Sequence, residues 1–143
     1  PKGGGPRPVV LWVHGGGWRG GDKGGANPAT LLAKEGYAVA SVNYRFSQHA
    51  VFPAQAADVR AAVRFLKANA GKYDLDPDRV GAWGASAGGH LVALLGTAAD
   101  VADLDGDRKP GAESPRVKAV VDWFGPADFA GYSGPGDPPG GLI

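Results

Sequence analysis

Gly84-Ala85-Ser86-Ala87-Gly88 sets a serine among small residues in the pattern G-x-S-x-G, which can present a hydroxyl as a nucleophile. A serine on a sharp strand-to-helix turn stands exposed at a helix N-terminus, where backbone N–H groups lack helical partners. Glycines two before and two after it let strand and helix pass without collision. Ala87 then offers its N–H to the oxygen that becomes negative when the hydroxyl attacks a carbonyl. Upstream, His14-Gly15-Gly16-Gly17-Trp18 supplies the complementary part. A glycine run lets N–H groups close on such an oxyanion, each donor contributing about 3–4 kcal/mol to the transition state. Gly16, Gly17 and Ala87 are the expected donors. His14, Gly15, Gly84 and Gly88 shape the two turns, with His14 positioning its loop and not acting as base.

The elements around these motifs must deliver them to one place. Val9 to Val13 is a short apolar run after a Pro- and Gly-rich start, which reads as a strand buried on both faces. A short helix is expected over Pro28 to Lys34, stopped by Gly36, and a second strand over Tyr37 to Val42. Pro53 to Asn69 is the clearest helix: Val59, Ala62, Val63 and Leu66 form one apolar stripe, with Arg60, Arg64 and Lys67 off it. Asp74 to Arg79 reads as a turn, Val80 to Trp83 as the third strand, and Ala87 to Ala98 as the helix behind the serine. Asp100 to Ser114 is polar and reads as a surface loop, Val117 to Val121 as the fourth strand, and the Gly- and Pro-rich tail from Gly125 as irregular. Strands alternating with helices predict an α/β fold with a parallel, helix-covered sheet of about four strands.

Composition narrows the function classes. At 143 residues and 43% hydrophobic, the chain can build one core. Its 15 basic and 14 acidic residues leave a net charge of +1, which gives no electrostatic case for nucleic acid or an anionic membrane surface. There is no apolar run long enough to span a membrane. The lack of cysteine removes thiol nucleophiles, disulfides and Cys-based metal sites. Neither compartment nor oligomeric state follows from these features. There is no methionine, so the chain is expected to be processed or a fragment.

Six segments occur in an order that carries a resemblance. They are His14 to Trp18, Asn43-Tyr44-Arg45, Phe52-Pro53-Ala54, Asp76-Pro77-Asp78-Arg79-Val80, Gly84 to His90 and Val121-Asp122-Trp123-Phe124-Gly125-Pro126. Together they resemble the α/β-hydrolase esterases related to bacterial feruloyl esterases and the hormone-sensitive-lipase group, over roughly Pro8 to Asp128. The resemblance implies a serine-dependent carboxylic ester hydrolase working through an acyl-enzyme on a small-molecule ester, with no cofactor and no metal. Feruloyl, acetyl-sugar and short fatty-acyl esters all remain open. It also implies that the four strands are the third to sixth of an eight-stranded sheet, in spatial order second, first, third, fourth. The chain is then one partial α/β-hydrolase domain over 1–143, whose first two strands would lie upstream of Pro1 and last two beyond Ile143.

That family orders its triad as Ser, then Asp or Glu, then His, and neither partner of Ser86 is evident here. His49 reads as a surface residue, and His90, four residues past Ser86 on the same helix, as helix packing. Asp122 and Asp128 follow the fourth strand, one strand earlier than this branch is expected to place the acid. A serine without its base is a poor nucleophile, so the 143 residues alone are expected to be nearly inactive. Two other function classes fit: a non-catalytic binding module on this fold, and a dinucleotide-dependent oxidoreductase using Gly15-x-Gly17-x-x-Gly20. The residues after Gly20 open a helix poorly, and the second strand ends in Asn43 where an acidic residue is needed. Asp103-Leu-Asp105-Gly-Asp107 begins like a calcium loop but has Arg108 at the sixth position and Ser114 at the twelfth. Trp12, Trp83 and Trp123 read as core, and Trp18 as either core or a wall of the acyl pocket.

Overall fold

The structure, a computed structural model, describes residues 4–107 and 111–129. Its centre is the strand β1 (Arg7–Val13), whose Val9, Leu11, Trp12 and Val13 are all buried. Such a strand must be covered on both faces, because no polar alternation leaves one side to water. It lies between β2 (Ala38–Val42) and β3 (Leu75–Ala85), and β4 (Ala119–Trp123) pairs with the far side of β3. All three pairings are parallel and the order is β2-β1-β3-β4, the order the resemblance implied.

The helices α1 (Ala54–Ala68) and α3 (Ala87–Thr97) pack against β3 and against each other. In α1 the expected stripe holds: Val59 and Val63 are fully buried, and Ala62 and Leu66 pack against the same core. A one-turn helix, α2 (Ala70–Tyr73), follows it. The short element before β2 is a 3₁₀ helix over Pro28–Glu35, started by the Asn27 side chain accepting from the Ala29 N–H at 3.0 Å. Gly36 ends it in the left-handed region at φ 86°, where a β-carbon would be strained.

The sequence reading misplaces two polar stretches. Arg60 and Arg64, off the apolar stripe of α1, are nevertheless buried at 2% and 9% exposure. Their guanidinium groups meet the Asp105 carboxylate, Arg60 through Nε at 2.6 Å and Arg64 through Nη2. Arg60 also donates to the carbonyls of Ala98 and Ala99, past the C-terminus of α3, at 2.9 and 2.8 Å. The expected surface loop after residue 100 therefore turns inward through a short 3₁₀ turn (Ala102–Leu104), with Leu104 and Asp105 buried. Burial pushes the Asp105 carboxyl up, but hydrogen bonds from Arg64 and Arg60 outweigh it and hold the group below its ordinary value. The expected turn after Asp74 is likewise the start of β3, which skips register between the partners of Arg7 and Val9. Trp123, expected in the core, is 41% exposed on β4, the outermost of the four strands described.

Candidate active site

Register decides where the two glycine-rich turns meet. Val13, the last residue of β1, lies opposite Gly84 of β3, and Ala85 lies opposite Trp123 of β4. Three parallel strands thus end level, and the segments after them emerge at one edge of the sheet. That carboxyl edge is where open α/β sheets place their ligands.

Ser86 stands at the turn from β3 into α3 with φ 54° and ψ −121°, a conformation rare for a residue with a β-carbon. Strain of this kind costs on the order of 1–3 kcal/mol and persists only where the surroundings enforce it. Here the Ser86 N–H donates to the Trp123 carbonyl at 2.8 Å, and the Ser86 carbonyl accepts from the His90 N–H at 3.0 Å. A β-carbon on Gly84 would overlap the Gly88 carbonyl, and one on Gly88 would overlap the Val13 carbonyl, so both positions need glycine for close backbone approach. Gly15 is also tight: its β-carbon would stand 2.8 Å from the Ala85 carbonyl oxygen and 3.2 Å from the Ser86 Cβ. The glycine loop after β1 therefore lies directly against the serine turn.

Each expected oxyanion donor has its peptide plane fixed. In a trans peptide the carbonyl and the next N–H point opposite ways, so holding the one aims the other. The Gly15 carbonyl meets the His14 Nδ1 at 2.7 Å, which orients the Gly16 N–H. A carbonyl oxygen only accepts, so Nδ1 carries the proton. The Gly16 carbonyl accepts from the N–H groups of Arg19 and Gly20 at 3.0 and 3.1 Å, which orients Gly17. The Ser86 carbonyl, held by His90, orients Ala87. The structure thus brings Gly15 against Ser86 and Gly88 against the His14 carbonyl, with Gly84 against Gly88, while Gly16, Gly17 and Ala87 follow directly in the same two turns.

The other histidines are placed elsewhere. His90 is buried, with its ring edge-on to Trp18 at 5.5 Å and to Phe129 at 4.9 Å. Burial pushes its pKa down, against a weaker upward pull from Asp122, and its Nδ1 has no hydrogen-bond partner. Trp18, at 6% exposure, packs with these rings and with the core. His49 is exposed and stacks on Phe46. Among the described residues no side chain hydrogen-bonds the Ser86 hydroxyl. Asp122 uses Oδ1 to accept from the Gly125 N–H at 2.8 Å, closing the turn after β4. No group of three or more metal-binding side chains exists among the described residues, and no helix there is long and apolar enough to cross a membrane. The Gly15-x-Gly17-x-x-Gly20 stretch opens no helix, since the next helical element starts only at Pro28.

Sequence reasoning did not assign roles to the residues behind the loop. Tyr44 is buried, stacks on the His14 ring at 4.7 Å and donates its hydroxyl to the His14 carbonyl at 3.0 Å. The Asn43 side chain donates to Asp22 at 3.0 Å and accepts from the Lys23 N–H at 2.6 Å. Sequence assigns neither residue a part in the glycine loop, because their pairing with positions some 20–30 residues earlier has no local signal.

Known proteins place this geometry in context. The BD-FAE family model matches residues 1–137. The chain is 34% identical over 132 residues to Esterase LipC of Mycobacterium tuberculosis (strain ATCC 25618 / H37Rv), covering 91% of this chain and 32% of that protein. It is 42% identical over 99 residues to Neutral cholesterol ester hydrolase 1 of Rattus norvegicus, covering 63% of this chain and 24% of that one. Among solved structures it is similar to a truncated form of a carbohydrate esterase from gut microbiota, with TM-score 0.82 and 35% identity over 90% of this chain and 50% of that one. The chain thus spans a third or less of these curated relatives and half of that structure.

Proposed function

The chain belongs to the BD-FAE family and has the α/β-hydrolase fold, and from that premise we propose that the whole protein is a serine-dependent carboxylic ester hydrolase acting on small-molecule esters. The observation that carries the reading is the Ser86 turn at φ 54°, with Gly15 of the glycine loop packed against it. The Ser86 hydroxyl attacks the ester carbonyl, and the N–H groups of Gly16, Gly17 and Ala87 stabilise the oxyanion of the tetrahedral intermediate. The alcohol leaves, taking the proton that Ser86 gave up, and water then cleaves the acyl-enzyme. The His14 imidazole is committed to the Gly15 carbonyl and the His90 ring to an aromatic cluster, so neither serves as base. The 143 residues are accordingly taken as one partial domain, with the base and its acid partner supplied from outside them.

The relatives' names support ester bonds as the substrate class, and one neighbour is named for carbohydrate esters. The test is p-nitrophenyl acetate hydrolysis by the full-length gene product and by its Ser86→Ala variant, with organophosphonate labelling of both. Turnover and labelling that vanish in the variant are expected. Binding of esters without labelling or turnover in either protein would instead favour a non-catalytic module.

A further inference from the structure

Of three consecutive residues after β2, two fasten the glycine loop and the third anchors the segment itself. Asn43 holds the far end of the glycine loop through Asp22 and Lys23. Tyr44 holds its near end at His14. Arg45 anchors the segment to α1 through a two-pronged pairing with Asp58, Nε at 2.9 Å and Nη2 at 2.8 Å, and through its own N–H to the same carboxylate at 2.8 Å. The middle residue is thereby clamped from both sides, and it is the only one of the three that is buried.

The His14 ring needs such support. Its Nδ1 holds the Gly15 carbonyl, while its Nε2 is buried with no protein hydrogen-bond partner. Ring contacts fix its plane: Tyr44 stacks on it, inclined by 20°, and Phe46 meets it edge-on at 6.1 Å. The same tyrosine holds the His14 carbonyl, so ring and backbone of His14 are gripped by one side chain.

We infer that Tyr44 is a positioning residue of the oxyanion loop: its ring and hydroxyl keep His14 donating to the Gly15 carbonyl and so aim the Gly16 N–H at the reacting oxygen. The inference rests on the ester-hydrolase reading. Burial pushes the Tyr44 phenol up to about 12, so it stays a proton donor across the working range. A buried donor without a charge is suited to this task, since it orients a carbonyl without altering the electrostatics at Ser86.

The test is Tyr44→Phe in the full-length protein, which keeps the stack and removes the hydroxyl, with Tyr44→Leu removing both. For an oxo ester kcat should fall about tenfold in Tyr44→Phe and further in Tyr44→Leu, with KM nearly constant. Outright loss of an oxyanion donor costs about 10²- to 10³-fold. The rate ratio between an oxo ester and its thiono analogue should shrink in the same order, because a loosened hole discriminates less between oxygen and sulfur. A purely structural residue would lower the active fraction and leave that ratio unchanged. The ¹⁵N signals of His14 should show Nδ1 protonated in the wild type and mixed tautomers in Tyr44→Leu. Wild-type kcat and an unchanged ratio in both variants would overturn the inference while leaving the ester-hydrolase reading intact. A wild type with no Ser86-dependent hydrolysis overturns that reading and the catalytic purpose of Tyr44 with it, and the His14 signals then report separately whether Tyr44 sets the tautomer.

Discussion

The Ser86 amide nitrogen donates to the Trp123 carbonyl oxygen at 2.8 Å, which ties the strained serine turn to the end of the neighbouring strand. The turn is held by its neighbours and not by the preferences of serine. At φ 54° a glycine is at ease where a β-carbon is not. Ser86→Gly should therefore raise stability by about 1 kcal/mol, the lower end of the strain range, read from the denaturant midpoint. In the full-length protein the same change should cut ester hydrolysis by about 10⁴-fold or more. A less stable glycine variant would show that the turn suits serine.

Gly88 and Gly96 lie on the same helix and predict opposite outcomes for the same substitution. A methyl on Gly88 would overlap the Val13 carbonyl and come within 2.6 Å of the His14 carbonyl oxygen, and backbone cannot swing aside. A methyl on Gly96 meets the Val120 Cγ2 at 2.8 Å, the end of a side chain that can rotate or shift. Gly88→Ala should cost about 3 kcal/mol by overpacking. In Gly96→Ala the helix gain of about 1 kcal/mol offsets the repacking and leaves stability nearly unchanged. Equal losses in thermal unfolding of the two variants would contradict this account of why the elbow needs glycine.

What the sequence made legible was local. Val9 to Val13 and the stripe Val59, Val63 and Leu66 announce their burial by pattern, and Gly84 to Gly88 announces a turn because few other residues could make it. The spatial order of the strands came through family resemblance, as pattern alone sets no order. What was illegible depends on pairing at a distance. Arg60 and Arg64 look like solvated charges because periodicity counts apolar residues, and the carboxylate that accepts them lies 45 and 41 residues away. Tyr44 looks like any residue after a strand until His14, 30 residues earlier, is folded against it.

The buried Asp105 should behave as a keystone. Removing it in Asp105→Ala leaves two buried guanidinium groups without a counter-charge, a loss of about 3–5 kcal/mol in chemical unfolding. Its carboxyl titrates below the unfolded value of 3.8. The ionised form is thus favoured in the folded state, and its contribution is present above that value and lost as pH falls through the folded one. Wild-type stability should drop in strong acid more steeply than that of Asp105→Asn, which starts lower and has no proton to take up. Parallel acid profiles would mean that the carboxylate contributes no net pairing energy.

His90 should impose a pH dependence of opposite chemical origin. Burial among Trp18 and Phe129 lowers its folded pKa beneath the unfolded value of 6.5, with Asp122 opposing only in part. Below 6.5 the unfolded chain takes up a proton that the folded chain resists, so stability should fall as pH drops through that value and hold steady above it. His90→Phe removes the titrating group and the unpartnered Nδ1 while keeping a ring for the cluster. Its unfolding midpoint, followed by Trp fluorescence across mildly acidic pH, should stay flat where the wild type declines, and the two curves should draw together above neutrality. A wild type as flat as the variant would show that His90 reaches solvent readily enough to be protonated without cost.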